Sequence, residues 1–145
     1  MLAEGEVFKG GYSLLGKFRI NAILSGDRFE MDAKLIETSG KSKEWLQKNL
    51  FKNMSSIDFD GDGKGGEYGS AFISLEPVDL KAAQPFRFNT YKGVFRWYSF
   101  AIHGTQDEKR IGKCITGGCI NVKQESLVEL LRKLKLGDHV EIVGF

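Results

Sequence analysis

Proline, cysteine and histidine are each present only twice in this chain of 145 residues. Pro77 and Pro85 leave few rigid turns, and Cys114 and Cys119 are too few for a disulfide scaffold. Long apolar runs are also missing. The stretch Tyr98-Ser99-Phe100-Ala101-Ile102 is broken by Ser99, well short of the ~18 apolar residues that cross a bilayer, so no membrane span is expected. An excess of charge of one sign is absent too. Twenty-one Lys+Arg against 19 Asp+Glu leave a net +2, which removes bulk attraction as a basis for binding nucleic acid or anionic lipid. Met1-Leu2-Ala3-Glu4-Gly5-Glu6 places acids where a secretory signal carries basic and then apolar residues, so no signal peptide is read in this chain.

Glycine, by contrast, is plentiful at 18 residues, against a usual share of about 7%. The pattern is one of many tight turns. The length favours one domain over residues 1–145, and 41% hydrophobic residues suffice for its core. Phe18, Ile20, Ala22 and Leu24 alternate with Lys17, Arg19 and Asn21, and Phe29, Met31, Ala33 and Leu35 resume the alternation after a Gly26-Asp27 turn. Period two on both sides of a turn predicts a hairpin with one face in the core and one in water. Helical spacing replaces it over residues 42–54, with Trp45, Leu46, Leu50 and Met54 on one side and Ser42 as N-cap. Further strands are expected over residues 71–75, 86–88, 94–103 and 139–143. A second helix is expected over residues 124–136, where Leu127, Leu130, Leu131 and Leu134 share a face and Gly137-Asp138 ends it. The result is a mainly β domain with two helices.

The chemistry is concentrated in Ala101-Ile102-His103-Gly104-Thr105 and in Cys114-Ile115-Thr116-Gly117-Gly118-Cys119-Ile120-Asn121. A thiol at its reference pKa of roughly 8.5 is a weak nucleophile, so acyl transfer through Cys119 needs an imidazole or another positive group to favour the thiolate. His103 is the candidate. Gly117 and Gly118 leave backbone N–H groups open to a developing oxyanion. With no Asp or Asn obviously placed to orient the imidazole, a backbone carbonyl such as that of Gly104 is left for that task.

Other chemistries compete for these residues. His103, Cys114, Cys119 and His139 are the right types for zinc, although Cys-x4-Cys departs from the usual pair spacing and His139 reads as a strand surface residue. Cys119 also reads as a small buried hydrophobe, or as one half of a bridge to Cys114. Asp58, Asp60, Asp62 and Gly63 match the opening of a calcium loop, but its twelfth position is Gly69, without the closing carboxylate. Arg87, Phe88, Tyr91, Lys92, Phe95, Arg96, Trp97 and Tyr98 interleave bases and aromatics as an RNA-stacking surface does. Without the alternating pattern of an RNA-recognition domain, cross-strand packing explains them more economically.

The same residues resemble the L,D-transpeptidase catalytic domain, or YkuD, family. Its pattern is a His-Gly or His-Ser after a strand, a Ser/Thr-His-Gly-Cys-hydrophobic-Asn/Arg motif, a helix, a Gly-containing turn and a final strand. Here these read His103-Gly104, Thr116-Gly117-Gly118-Cys119-Ile120-Asn121, the Leu127 to Leu134 helix, Gly137 and the strand around Val140. The resemblance implies a β-sandwich-like fold with Cys119 as nucleophile, His103 as base and the Gly104 carbonyl as its orienter. It also implies that the amides of Gly118 and Cys119 face the oxyanion and that Asn121 braces the loop. Gly117 stands where the motif usually has histidine, and the family's Thr-Pro-x-Gly segment is missing. The implied activity is cysteine-dependent acyl transfer on peptidoglycan tetrapeptide stems, as transpeptidation, L,D-carboxypeptidase trimming or D-amino-acid exchange, in the periplasm or cell envelope. No cofactor is implied. Its biological setting is either a housekeeping envelope enzyme or an antibacterial effector, the latter with a secretion machine and an immunity protein as partners. The alternative is a degenerate module that only binds wall peptides.

Overall fold

A computed structural model describes residues 16–56, 63–78, 100–111 and 119–143, together with the backbone at 85–88 and 91–94. The central strand is β1 (Gly16–Ser25). The turn to β2 (Phe29–Met31) is closed by Ser25 N–H donating to Arg28 O at 2.8 Å and by Arg28 N–H donating to Ser25 Oγ at 2.9 Å. The expected hairpin therefore forms, but its second arm stops at Met31. Ala33, Lys34, Leu35, Ile36 and Glu37 continue as the helix α1 (Ala33–Ser39), which Gly40 ends in a left-handed conformation. Ala, Lys, Leu and Glu are strong helix formers, and their apparent alternation with Phe29 and Met31 is coincidental. The helix α2 (Lys43–Ser55) starts as expected, with Trp45 N–H donating to Ser42 Oγ at 3.1 Å. Trp45 itself is exposed, under the Lys41 ammonium.

The remaining elements are β3 (Ala71–Pro77), β4 (Pro85–Phe88), β5 (Tyr91–Val94), β6 (Phe100–His103), a 3-10 turn (Glu108–Arg110), β7 (Ile120–Asn121), α3 (Gln124–Lys133) and β8 (His139–Ile142). Of the expected strand over residues 94–103, Val94 ends β5 and Phe100 starts β6, and residues 95–99 lie outside the described residues. Strands run in the order β2-β1-β3-β6-β7, and β4 and β5 form a separate pair. Every pairing is antiparallel except β6 with β7.

One edge of β1 serves two partners in succession. β8 pairs along Gly16–Arg19 and β2 along Ala22–Leu24. Between them Ile20 exchanges backbone hydrogen bonds with Gly137 and Asp138, and Asp32 N–H donates to Asn21 O. On the other edge a bulge against β3 falls between Ile20 and Ala22. An extra residue in one strand turns the following side chains to the opposite face. Phe18, Ile20 and Ile23 therefore pack with Ile73, Leu75, Phe100 and Leu127, whereas Ala22 and Leu24 pack with Phe72, Met31 and Leu46 on the other side. The expectation of one wet face is corrected, because α3 covers one side of the sheet while α1 and α2 cover the other. At the bulge the buried Asn21 donates to Glu76, and Arg19 bridges Glu76 and Asp32. The mainly β reading stands, with three α-helices among the described residues where two were expected.

Candidate active site

His103 ends β6, between Phe72 of β3 and Asn121 of β7. The residue is 5% exposed. Tyr68 meets it edge-on at 4.9 Å, and the Phe72 ring lies nearly parallel to it at 6.1 Å. Nδ1 lies 2.6 Å from the carbonyl oxygen of Gly104. A carbonyl only accepts, so Nδ1 carries the proton and Nε2 keeps its lone pair. Burial drives the imidazole below its ordinary pKa. The Gly104 hydrogen bond opposes this and the positive charge of Arg110 assists it. The ring is neutral at neutral pH.

Cys119 lies two residues before Asn121, so its side chain points to the same side of the sheet as those of Asn121 and its strand partner His103. It packs on the cluster that holds Phe72 and Ala101. The residue as a whole is half-buried, but its sulfur is enclosed. Burial pushes the thiol up to about 11, against a backbone hydrogen bond with Ala101 that favours the thiolate. A resting thiolate favoured by an imidazolium is therefore not what this environment holds. Burial thus favours the neutral form of both the thiol and the imidazole. Asn121 follows, and its Oδ1 is buried without a hydrogen-bond partner among the described residues.

Local sequence explains how these groups are presented. Val122 N–H donates to His103 O at 3.0 Å and locks β7 onto β6. The N-terminus of α3 starts directly afterwards, with Gln124 N–H donating to a carboxylate oxygen of Glu108 at 3.3 Å. A negative charge suits that helix end. Arg28 clasps the other end through the carbonyls of Leu131 and Leu134. The helix ends at Lys133, before the expected residue 136, where Leu134 turns to an extended conformation.

Thr116, Gly117, Gly118 and Cys114 lie outside the described residues, as do Asp58, Asp60 and Asp62 of the acidic loop. His139 is exposed on β8. Three strand spacings separate β8 from β6, roughly 14 Å, so His139 and His103 cannot share one zinc ion with bonds of about 2 Å. Among the described residues no group of three His, Cys, Asp or Glu could hold a metal, and no helix is long and apolar enough to cross a membrane. Sequence reasoning missed Tyr68 and Phe72, the aromatic walls of the imidazole, and Arg110, whose charge acts on it. Only the ring next to the glycine-rich run at 65–69 could have hinted at the first.

Residues 11–142 match the family model of the L,D-transpeptidase catalytic domain, YkuD. A Fuscovulum blasticum protein named for an L,D-transpeptidase in the ATP synthase subunits region, ORF 5, is 32% identical over 54 residues, which are 37% of this chain and 29% of that protein. The chain thus spans under a third of that relative. No solved structure matches the chain.

Proposed function

Because the chain belongs to the L,D-transpeptidase catalytic domain family, we propose that Cys119 and His103 carry out acyl transfer on the tetrapeptide stems of peptidoglycan. The observation that supports this reading is the 2.6 Å contact of His103 Nδ1 with Gly104 O, which leaves Nε2 free to accept a proton on the face that Cys119 shares. Cys119 S–H gives its proton to Nε2 as sulfur attacks the carbonyl between diaminopimelate and the terminal D-alanine. The C–N bond then breaks, and the same proton passes to the departing D-alanine amine. A thioester on Cys119 results. An amine of a second stem loses a proton to His103, attacks the thioester and releases the thiol as a new crosslink forms. Water in that place gives trimming, and a D-amino acid gives exchange. In this reading the amides of Gly118 and Cys119 receive the oxyanion, with Gly117 and Thr116 shaping the loop and Asn121 bracing it.

A neutral thiol paired with a neutral base suits this order of events. Charge separates only when the tetrahedral oxyanion can be stabilised, so the resting sulfur is protected from adventitious reaction. Gly117, in place of the motif's histidine, supports the second reading of a module that binds stems without turnover. Incubating the protein with purified muropeptides and weighing the products separates the two. Crosslinked, trimmed or exchanged stems made by the wild type and lost in Cys119→Ala are expected, while equal binding by both proteins with no product would install the binding module.

A further inference from the structure

Residues 65–70 lie along the stretch that follows His103, and they touch it at three places. Gly66 lies beneath the Gln106 side chain, Glu67 approaches Arg110 at 3.8 Å, and Gly69 abuts Gly104. We infer that Gly69 is a positioning residue for His103, holding in place the Gly104 carbonyl that selects the tautomer of the imidazole. The inference rests on the base role proposed for His103.

The contact at Gly69 differs in kind from the others. A Cβ there would stand 2.6 Å from the Gly104 carbonyl carbon and the Thr105 nitrogen, and 2.7 Å from Gly104 Cα. All three atoms are backbone. A Cβ on Gly104 would in turn stand 3.0 Å from Leu127 Cδ2 and 3.3 Å from Gly69 Cα, so a side chain is crowded on either side of this contact. Two glycines thus meet without side chains, clasped between the turn and α3. Gly69 N–H donates to Gly66 O at 2.9 Å and Gly66 N–H donates to Ser55 O at 2.6 Å, which anchors the turn to the end of α2. Tyr68, in the same turn, sets the plane of the imidazole by its edge contact. Gly69 sets the acceptor, and Tyr68 and Phe72 set the plane. Together they decide that Nδ1 is protonated and Nε2 is not, and only that tautomer can take the proton of the thiol.

Gly69→Ala supplies the test, with Gly40→Ala as its match. Gly40 has nearly the same backbone angle, φ +68° against +65°, but nothing lies within 4 Å of its Cβ position. Both variants therefore carry the same left-handed strain, and only one pushes on Gly104. Gly69→Asn serves as a second variant, because asparagine tolerates the left-handed region while carrying the same Cβ. Nitrogen-detected NMR of the imidazoles, with His139→Gln removing the only other histidine, reads the tautomer in the resting protein without turnover. Wild type is expected to hold the Nδ1–H form. In the Gly69 variants that form is expected to give way to Nε2–H, with kcat down about 10²-fold, as for a catalytic group displaced by about 1 Å. KM should change little and the acid limb of the pH profile should move, whereas Gly40→Ala should keep wild-type kcat. An unchanged tautomer in Gly69→Ala would overturn the inference. So would failure of both Gly69 variants to fold while Gly40→Ala folds, since the contact would then serve the fold alone. A wild type that makes no product refutes the base role instead, and the ring spectra still decide the position of the proton.

Discussion

Phe72 and His103 are register partners on adjacent strands, and their rings lie 12° from parallel with centroids 6.1 Å apart. The imidazole is thereby kept in an apolar layer, where a positive charge is disfavoured. Two pH effects follow from this.

The acid limb of kcat/KM is expected below the ordinary histidine value of roughly 6.5, because protonation that removes the base is opposed by burial. Folding stability follows the same sign. The unfolded chain binds a proton at His103 below about pH 6.5 while the folded chain does not, so stability falls as pH drops through that value toward the lower folded pKa. Steady-state rates and urea titrations between pH 4 and 8 check both. An acid limb above 6.5 would contradict the burial argument.

Cys119 is expected to react slowly with iodoacetamide at neutral pH and faster as the pH approaches about 11, where its thiol ionises. Cys119→Ala should lose both the adduct and all turnover and still fold, since the change removes a single sulfur atom and opens at most a small cavity. His103→Ala should keep the thiol but lose about 10²- to 10⁴-fold in turnover. Peptide mapping and product assays read these outcomes. Rapid alkylation at pH 7 would show a thiolate already formed.

Leu127 is fully buried at the junction of α3 with the sheet and touches the Gly104 position. Leu127→Ala should cost about 2–5 kcal/mol in urea unfolding. It should also lower turnover, because the cavity opens directly behind Gly104. A loss below about 1 kcal/mol would mean that α3 collapses into the space.

Arg28 ties the hairpin turn to the last carbonyls of α3. Arg28→Ala should destabilise the fold by about 1.5–3 kcal/mol, the range for hydrogen bonds to a charged donor. Hydrogen exchange should rise first at the C-terminal turn of that helix. Uniform exchange along α3 would place the stabilisation elsewhere.

Millimolar calcium is expected to change the melting temperature little, since Gly69, the twelfth position of the loop that opens at Asp58, offers no carboxylate and packs on Gly104. A stabilisation abolished by Asp60→Asn would establish calcium binding.

Local chemistry made much of this protein legible in its sequence. The cap at Ser42, the turn after Ser25, the leucine face of α3 and the strand ending at His103 follow from spacing and residue type, which act over a few residues. The position of His103-Gly104 before Thr116-Gly117-Gly118-Cys119-Ile120-Asn121 carried the family resemblance, because the order of such residues is itself chemical information. Tertiary structure alone decided the rest. The bulge at Asn21 divides one run of alternating apolar residues between two cores, since an extra residue changes facing and nothing local marks where it is inserted. Residues 33–39 became a helix because α1 covers a face of the sheet that the sequence left in water. The parallel pairing of β6 with β7 put Cys119 and His103 on one face across sixteen residues of chain, and burial there set the pKa of each. The contact of Gly69 with Gly104 joins residues 35 apart, and no propensity or period reports so close an approach of two backbones.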